Sequence, residues 1–408
     1  MSETNRIHAV THPPPDVPER RRKRRLVGID VARGIAVIGM FTAHFNPFML
    51  EPDHWLQRLV SGRSAALFAL LAGVSVALLS GGNTPRSGAA MRATRAHLAT
   101  RAVLLFALGL ALSELGTTVK EILTVYGVLF LLAIPLLRLR PAVLAGSAAL
   151  LGVAGPLASF ALRSTVITDY RIGITPSFDD FTSAHGLLEA ARGLLLTGPY
   201  PVLTWLPFLL AGMAIGRLDL HATATRVRLA ASGAVLAAAS YAASLLLMGP
   251  LGGYRRIIAH LPDVTTPEQV DLAARSTAGL VPTTDPGFLL TTAGHSGAPL
   301  EIWATSGLAM LIIGVALIVA DRVGVLLLPL SSIGALALTS YAGHIVVIYL
   351  LGLDGMIQLL TLYLYLPLLV LIGVTMLVTT VWRQLLGRGP LEWVLHKAGT
   401  AVGDLARS

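Results

Sequence analysis

The sequence predicts an all-α integral membrane protein, a polytopic helical bundle with about ten or eleven transmembrane helices. Of its 408 residues, 54% are hydrophobic and only 13% are charged, and the mean hydropathy is +0.71. A water-soluble domain of this length would be far less apolar. The apolar residues also fall into stretches of about 20, which is the length of helix that crosses a bilayer.

Ten such stretches follow one another along the chain. They are residues 28–50, 61–80, 98–114, 119–137, 141–162, 199–216, 228–248, 299–320, 331–353 and 360–383. Consecutive spans alternate between the two sides of the membrane, and Lys and Arg are enriched in cytoplasmic loops, so their distribution checks the count. With ten spans, 21 cations lie on the side of the termini and nine on the other side. Both termini are therefore expected in the cytoplasm.

The chain divides into a transmembrane domain, residues 27–385, and two cytoplasmic tails. The N-terminal tail, residues 1–26, is Pro-rich and carries the run RRRKRR, so it is expected to be disordered. Residues 386–408 form the C-terminal tail. Two long connections, residues 163–198 and 249–298, face the outside and are expected to cover a site. The first contains SAHGLLEAARGLLLTG, which predicts a short amphipathic helix.

Composition excludes several classes of function. The formal net charge of +9 does not indicate nucleic-acid binding, since most of the excess lies in short loops beside the spans. The absence of cysteine excludes disulfides, thiolate metal sites and a cysteinyl acyl-enzyme. Arg outnumbers Lys 28 to 3, a bias that fits a GC-rich bacterial genome. The expected location is therefore the cytoplasmic membrane of a bacterium.

The first span carries three ionisable residues, Asp30, Arg33 and His44. Asp30 and Arg33 are three residues apart and can pair on a helix. His44 is the eleventh residue after Arg33, which puts the two about 20° apart in direction and about 16 Å apart along the axis. Ionisable side chains in a membrane usually face a bundle interior or cavity, so this face is expected to line a passage. Snorkelling explains Arg33 equally well, and His44 has the alternative of a structural hydrogen bond.

Other polar residues lie at or within predicted spans. Arg63 opens the second span, where it could hold an acceptor or stabilise an oxyanion, or serve as an interfacial anchor. Tyr341 and His344 share one face of the ninth span, as functional residues or as helix-to-helix hydrogen bonds. Glu114 and Glu301 are expected at exposed helix ends. Glu51, Asp53 and His54 are too crowded for a good metal site, and no metal is expected.

Five segments resemble the large transmembrane acyltransferase superfamily, which includes heparan-alpha-glucosaminide N-acetyltransferase, its bacterial relatives and the acyltransferase-three family. They are RLVGIDVARGIAVIGMFTAH (25–44), GRSAALFALLAG (62–73), VYGVLFLLAIPLL (125–137), GPYPVLTWLPFLLAGMAIGR (198–217) and ALTSYAGHIVV (337–347). The spacing of Arg33 and His44 matches the acyltransferase-three signature. The heparan-type branch usually has Asn at the position of His44 and a catalytic His before a Trp in the first outer loop. In this chain EPDHWLQR makes His54 the second candidate.

The resemblance implies that acyl-coenzyme A, most simply acetyl-coenzyme A, enters from the cytoplasm. Its acyl group would pass to a hydroxyl or amine of an envelope glycan or glycolipid outside. His44 is the first candidate for the catalytic base, Arg33 and Asp30 are expected on the donor side, and Arg63, Tyr341 and His344 near the acceptor. Direct transfer is simpler than an acyl-histidine intermediate.

The alternative is a transporter or flippase of a lipid or anionic metabolite that uses the same residues, and a non-catalytic scaffold fits the in-membrane charges less well. The sequence leaves open the acceptor, the acyl chain length and a homo-oligomer.

Overall fold

The computed structural model describes residues 25–49, 51, 54–166, 173–276 and 279–407. Within these ranges every regular element is helical. The first eight α-helices are α1 (Val27–His44), α2 (Trp55–Val60), α3 (Arg63–Leu79), α4 (Gly88–Ser113), α5 (Leu123–Ala133), α6 (Pro141–Thr165), α7 (Ala184–Arg192) and α8 (Val202–Gly216). The other eight are α9 (Thr223–Met248), α10 (Gly253–His260), α11 (Pro267–Ser276), α12 (Pro299–Val323), α13 (Leu328–Ala335), α14 (Ala337–Tyr363), α15 (Leu366–Leu385) and α16 (Pro390–Leu405).

The prediction of a polytopic helical membrane protein is confirmed. In the described part of the chain, eight helical segments are long and apolar enough to cross a membrane, with α2 and α3 together forming one of them. A ninth candidate is a broken span made of the helical segment Ala184–Thr197 and α8, which are bent by 55° at their junction. The segment Leu123–Leu136 is a shorter apolar helix. Each of the ten predicted stretches thus contains a helix, while the number that spans the bilayer and the side of the termini stay predictions.

Helix α1 lies in the interior of the bundle and packs against α3, α12, α13 and α14. Small residues let the backbones approach closely, as is usual between membrane helices. A Cβ atom on Gly334 of α13 would lie 1.7 Å from the carbonyl oxygen of Asp30, and one on Gly34 would lie 2.2 Å from that of Leu330. These contacts fix α13 against the first half of α1, and α14 then continues beside the second half, toward His44.

The two long connections are largely folded. The predicted amphipathic helix of the first connection corresponds to α7, followed by a π-helical turn at Gly193–Thr197, and residues 167–172 lie outside the described part. The second connection contains α10 and α11 and a small core of its own, built around Met248, Ile257, Val270 and Phe288. This core gives the second connection a fixed shape against the helix ends.

The structure describes little of the predicted N-terminal tail and almost all of the predicted C-terminal tail. Of the N-terminal tail, expected to be disordered, only Arg25 and Leu26 lie within the described residues. The predicted C-terminal tail is mostly helical, since α16 packs along α4. A Cβ atom on Gly399 of α16 would lie 2.9 Å from the ring of His97, so glycine permits this contact.

Candidate functional site

A cavity of about 480 Å³ lies at the end of the bundle where α1 finishes. Three residues singled out in the sequence line it together, namely His44, Arg63 and Tyr341. They come from α1, α3 and α14, so the cavity is assembled from distant parts of the chain. Its other polar lining includes Arg58, Lys120, Tyr200, Tyr241, Asp271, Arg275 and His295.

His44 is joined to His344, which lies behind it. Nδ1 of His44 is 3.2 Å from Nε2 of His344, and the rings are nearly parallel, at 8°. On its other side, Nδ1 of His344 hydrogen-bonds the carbonyl oxygen of Tyr341. Because a carbonyl oxygen only accepts, this Nδ1 must carry the proton, which leaves Nε2 of neutral His344 as an acceptor. His44 therefore donates from Nδ1, and its Nε2 atom keeps a lone pair.

Tight packing holds His344 in this orientation. Its side chain is 1% exposed, with the ring of Phe41 at 5.0 Å and that of Tyr341 at 5.2 Å between centroids. The Tyr341 hydroxyl in turn accepts a hydrogen bond of 3.3 Å from the backbone N–H of Ile122. The imidazole of His344 is thus not free to turn, which is the condition for a defined tautomer.

Arg33 lies outside the lining of this cavity, nearer the start of α1. It donates to Asp30, over 3.0 Å, and to the hydroxyl of Ser75 on α3, over 2.7 Å. Arg25 also donates to Asp30, over 2.7 Å. The predicted Asp30–Arg33 pair therefore exists, and the bond to Ser75 holds Arg33 against a neighbouring helix. Arg33 and His44 thus occupy different levels of α1.

His54 also lies outside the cavity lining. Its Nδ1 atom accepts a hydrogen bond of 3.3 Å from the backbone N–H of Leu56 and so caps the first turn of α2. Its ring stacks on Phe48, with 3.6 Å between centroids. Of the crowded trio considered as a metal site, Asp53 lies outside the described residues. Among the described residues no group of three acidic or histidine side chains could hold a metal ion.

Arg63 is held at the cavity wall by hydrogen bonding and by a buried acid. Its Nε donates to the hydroxyl of Tyr241 over 3.1 Å, and Glu301 on α12 interacts with it electrostatically. The expectation that Glu301 is exposed is wrong, because its side chain is 4% exposed and accepts a 3.1 Å hydrogen bond from Thr305. The loop before α12 folds over this helix end. Glu114, by contrast, is exposed as expected.

His295 is a cavity residue that the sequence did not single out. It is a non-glycine residue with φ of 64°, in the left-handed region, between the rings of Tyr200, at 5.0 Å, and Trp205, at 6.0 Å. Burial lowers the pKa of the imidazole to about 4, against the opposing effect of a hydrogen bond to the Pro199 carbonyl. Nε2 is buried and has no hydrogen-bond partner among the described residues. Such strained, unsatisfied groups cluster at functional sites.

Taken as a chemical environment, the cavity offers an imidazole with a lone pair, a fixed guanidinium and an excess of positive charge. Arg58, Arg63, Lys120 and Arg275 line it, whereas Asp271 is the acidic side chain of the described lining. Arg275 lies 3.5 Å from Asp271, so this acid is already paired. The arrangement suits proton abstraction next to a developing negative charge.

Comparison with known proteins gives two matches along the chain. Residues 25–246 match the family described as heparan-alpha-glucosaminide N-acetyltransferase, catalytic, and residues 284–401 match a protein family of unknown function, DUF418. No curated protein matches. The first match covers 222 of the 408 residues, more than half of the chain, and it includes His44 and Arg63. The protein therefore belongs to the family of heparan-alpha-glucosaminide N-acetyltransferase catalytic domains.

Proposed function

We propose that this protein is a membrane acyltransferase that moves an acyl group, in the simplest case acetyl, from cytoplasmic acyl-coenzyme A to an acceptor on the outer side. The acceptor is a hydroxyl or amine of a cell-envelope glycan or glycolipid, and the setting is a bacterial cytoplasmic membrane. Residues 27–385 form the catalytic domain. Family membership supports acetyl transfer in general, and the hydrogen-bonded pair of His44 and His344 at the cavity is the observation that carries the proposal.

The pair supplies a base of defined orientation. Because His344 accepts the Nδ1 proton of His44, the lone pair on Nε2 of His44 is available to a hydroxyl or amine in the cavity. As the acceptor oxygen or nitrogen attacks the thioester carbonyl, Nε2 takes its proton, and the positive charge on His44 is shared with His344. Collapse of the tetrahedral intermediate breaks the carbon–sulfur bond. The thiolate of coenzyme A then receives that proton and leaves as the thiol.

Arg63 stabilises the intermediate in this scheme. The carbonyl oxygen becomes an oxyanion when the acceptor attacks, and a fixed cation close to that oxygen lowers the barrier. The hydrogen bond from Arg63 to Tyr241 and the electrostatic interaction with the buried side chain of Glu301 hold the guanidinium in place. His344 acts as a positioning residue, because it reaches the reacting atoms only through His44, and the carbonyl group of Tyr341 orients His344.

Arg33 serves the donor. It lies about 16 Å from His44 along α1, toward the end at which the donor enters. The phosphates and the thioester of acyl-coenzyme A are separated by the long pantetheine arm, so one molecule can contact Arg33 with its phosphates and present its thioester near His44. Asp30 orients Arg33 through their 3.0 Å ion pair.

The first experiment measures acetyl-coenzyme A binding to the purified, detergent-solubilised protein by calorimetry, with free coenzyme A and ATP for comparison. Saturable binding that ATP does not match, weakened in Arg33→Ala, supports the transferase. Incubation with radiolabelled acetyl-coenzyme A and envelope glycolipids then tests transfer. Folded protein that binds no acetyl-coenzyme A contradicts the proposal and favours the transporter or flippase.

A further inference from the structure

An arginine cluster lies toward the end of the bundle where α1 begins. Arg33 of α1 and Arg101 of α4 are close enough to interact electrostatically with each other and with Glu392 at the start of α16. Arg25 and Arg383 belong to the same cluster, since each interacts with Asp30. Four arginines therefore meet two carboxylates, Asp30 and Glu392, which leaves a surplus of two positive charges.

Both carboxylates already have other partners. Asp30 is shared between Arg25, at 2.7 Å, and Arg33, at 3.0 Å. Glu392 caps the N-terminus of α14, because its carboxylate accepts from the backbone N–H groups of Leu338, at 2.8 Å, and Thr339, at 3.1 Å. A helix N-terminus itself favours a negative charge. The Glu392 carboxylate is thus hydrogen-bonded to α14, and within the described part of the chain it forms no ion pair with an arginine of the cluster.

Arg101 is the least compensated arginine of this cluster, because the carboxylate that acts on it, Glu392, forms no ion pair with it. Its Nε atom is buried and has no hydrogen-bond partner within the described part of the chain, and no described carboxylate lies within ion-pair distance of its guanidinium. Burying one guanidinium beside another, without a directly paired carboxylate, is unfavourable. An anion between Arg33 and Arg101 would remove this penalty. Guanidinium groups bind phosphate oxygens through two parallel hydrogen bonds, so phosphate suits this pair.

We propose that Arg101 and Arg33 together bind the phosphate groups of the acyl-coenzyme A donor, at the end of the bundle opposite the cavity that His44 lines. This inference rests on the proposed function for the identity of the donor, whereas the anion site itself does not. The site explains why two unrelated helices, α1 and α4, each place an arginine at the same level of the bundle.

The test compares Arg101→Gln with the wild type and with Arg95→Gln, a matched control whose arginine is exposed on the same helix. Binding is measured by calorimetry in a neutral detergent with three probes: acetyl-coenzyme A, inorganic pyrophosphate, and S-acetylpantetheine, which has the thioester but no phosphate. An anionic phospholipid is added as a competitor in a separate series. Melting temperatures verify that the variants are folded.

We expect Arg101→Gln to weaken acetyl-coenzyme A and pyrophosphate binding about tenfold to a hundredfold, the effect of losing a charged hydrogen bond. Arg95→Gln should change neither, and S-acetylpantetheine should bind all three proteins alike. If pyrophosphate binding depends on Arg101 but acetyl-coenzyme A does not bind, the anion site stands and the transferase fails.

Unchanged acetyl-coenzyme A affinity in Arg101→Gln overturns the inference, as does an equal loss of S-acetylpantetheine. Absence of pyrophosphate binding in the wild type also overturns the inference. Displacement of acetyl-coenzyme A by the phospholipid but not by pyrophosphate would overturn it as well, because the arginines would then form a site for a lipid headgroup.

Discussion

Nδ1 of His44 and Nε2 of His344 lie 3.2 Å apart, although 300 residues separate them in the chain. His44 ends α1 and His344 lies in the first half of α14. The two belong to different family matches, residues 25–246 and residues 284–401. The candidate base and the group that orients it are thus supplied by different halves of the protein, so neither half contains the site alone.

Removal of the imidazole of His44 should abolish transfer while leaving donor binding intact. In His44→Ala we expect kcat to fall about a hundredfold to ten-thousandfold, the usual contribution of general base catalysis. The measurement is initial rate of acetyl transfer together with calorimetric affinity for acetyl-coenzyme A. His54→Ala is the control, since His54 caps α2 outside the cavity and should lose only about 1 kcal/mol of stability. An equal loss of kcat in His44→Ala and His54→Ala would contradict the assignment of His44 as the catalytic base.

His344 should act through His44 rather than on the substrate. His344→Leu leaves the Nδ1 proton of His44 without an acceptor, so we expect kcat to fall about tenfold to a hundredfold with an unchanged KM for acetyl-coenzyme A. His344→Gln offers an amide oxygen as a substitute acceptor and should recover part of the rate. The pH profile of kcat should also shift in both variants, because the basicity of His44 depends on its partner. A merely structural role predicts lower melting temperature with no such shift.

Arg63 is expected to contribute to the chemical step. Arg63→Gln removes the cation from the cavity wall and should lower kcat about a hundredfold to a thousandfold, as for other groups that stabilise an oxyanion. Tyr241→Phe, which removes only the partner of Nε, should have a smaller effect. Arg255→Gln serves as control because Arg255 is exposed on α10. A rise in KM for the acceptor at constant kcat would instead make Arg63 a binding residue.

The sequence predicts helices well here because apolar stretches of bilayer length carry local information. The first span is expected at residues 28–50 and is found at Val27–His44. The sequence does not predict the partners of a polar residue, because these come from distant parts of the chain. The sequence indicates that His44 and His344 each face the interior, but not that they meet.

Glu301 and His295 show that the position of a residue along a helix or loop is not sufficient to predict its burial. Glu301 stands two residues into α12, where exposure is the natural expectation, but the loop before it closes over the helix end. His295 lies in TTAGHSGAP, a segment without apolar periodicity. Its surroundings are supplied by Gly62, Pro199 and Trp205, and a Cβ atom on Gly62 would lie 2.5 Å from the backbone nitrogen of His295. In the sequence, only the glycines on either side of His295 indicate an unusual backbone conformation.

Stability should depend on pH through His295. Its pKa in the folded protein is about 4, below the ordinary value of 6.5, because burial disfavours the imidazolium. Between these values the unfolded chain binds a proton that the folded protein does not, so stability falls as the pH drops from 6.5 to 4 and is fully present above 6.5. The loss amounts to about 3 kcal/mol for one such group.

The variant His295→Asn isolates this contribution, since Asn tolerates the left-handed backbone conformation at this position better than most residues. Thermal unfolding in detergent is measured from pH 4 to 7.5, and the curve of His295→Asn should be the flatter one, converging with or rising above the wild type at low pH. His185→Asn is the control, because His185 is exposed on α7 and its replacement should leave the slope unchanged. Parallel curves for the wild type and His295→Asn would mean that folding leaves the pKa of His295 unchanged, and this would contradict a buried imidazole that resists protonation.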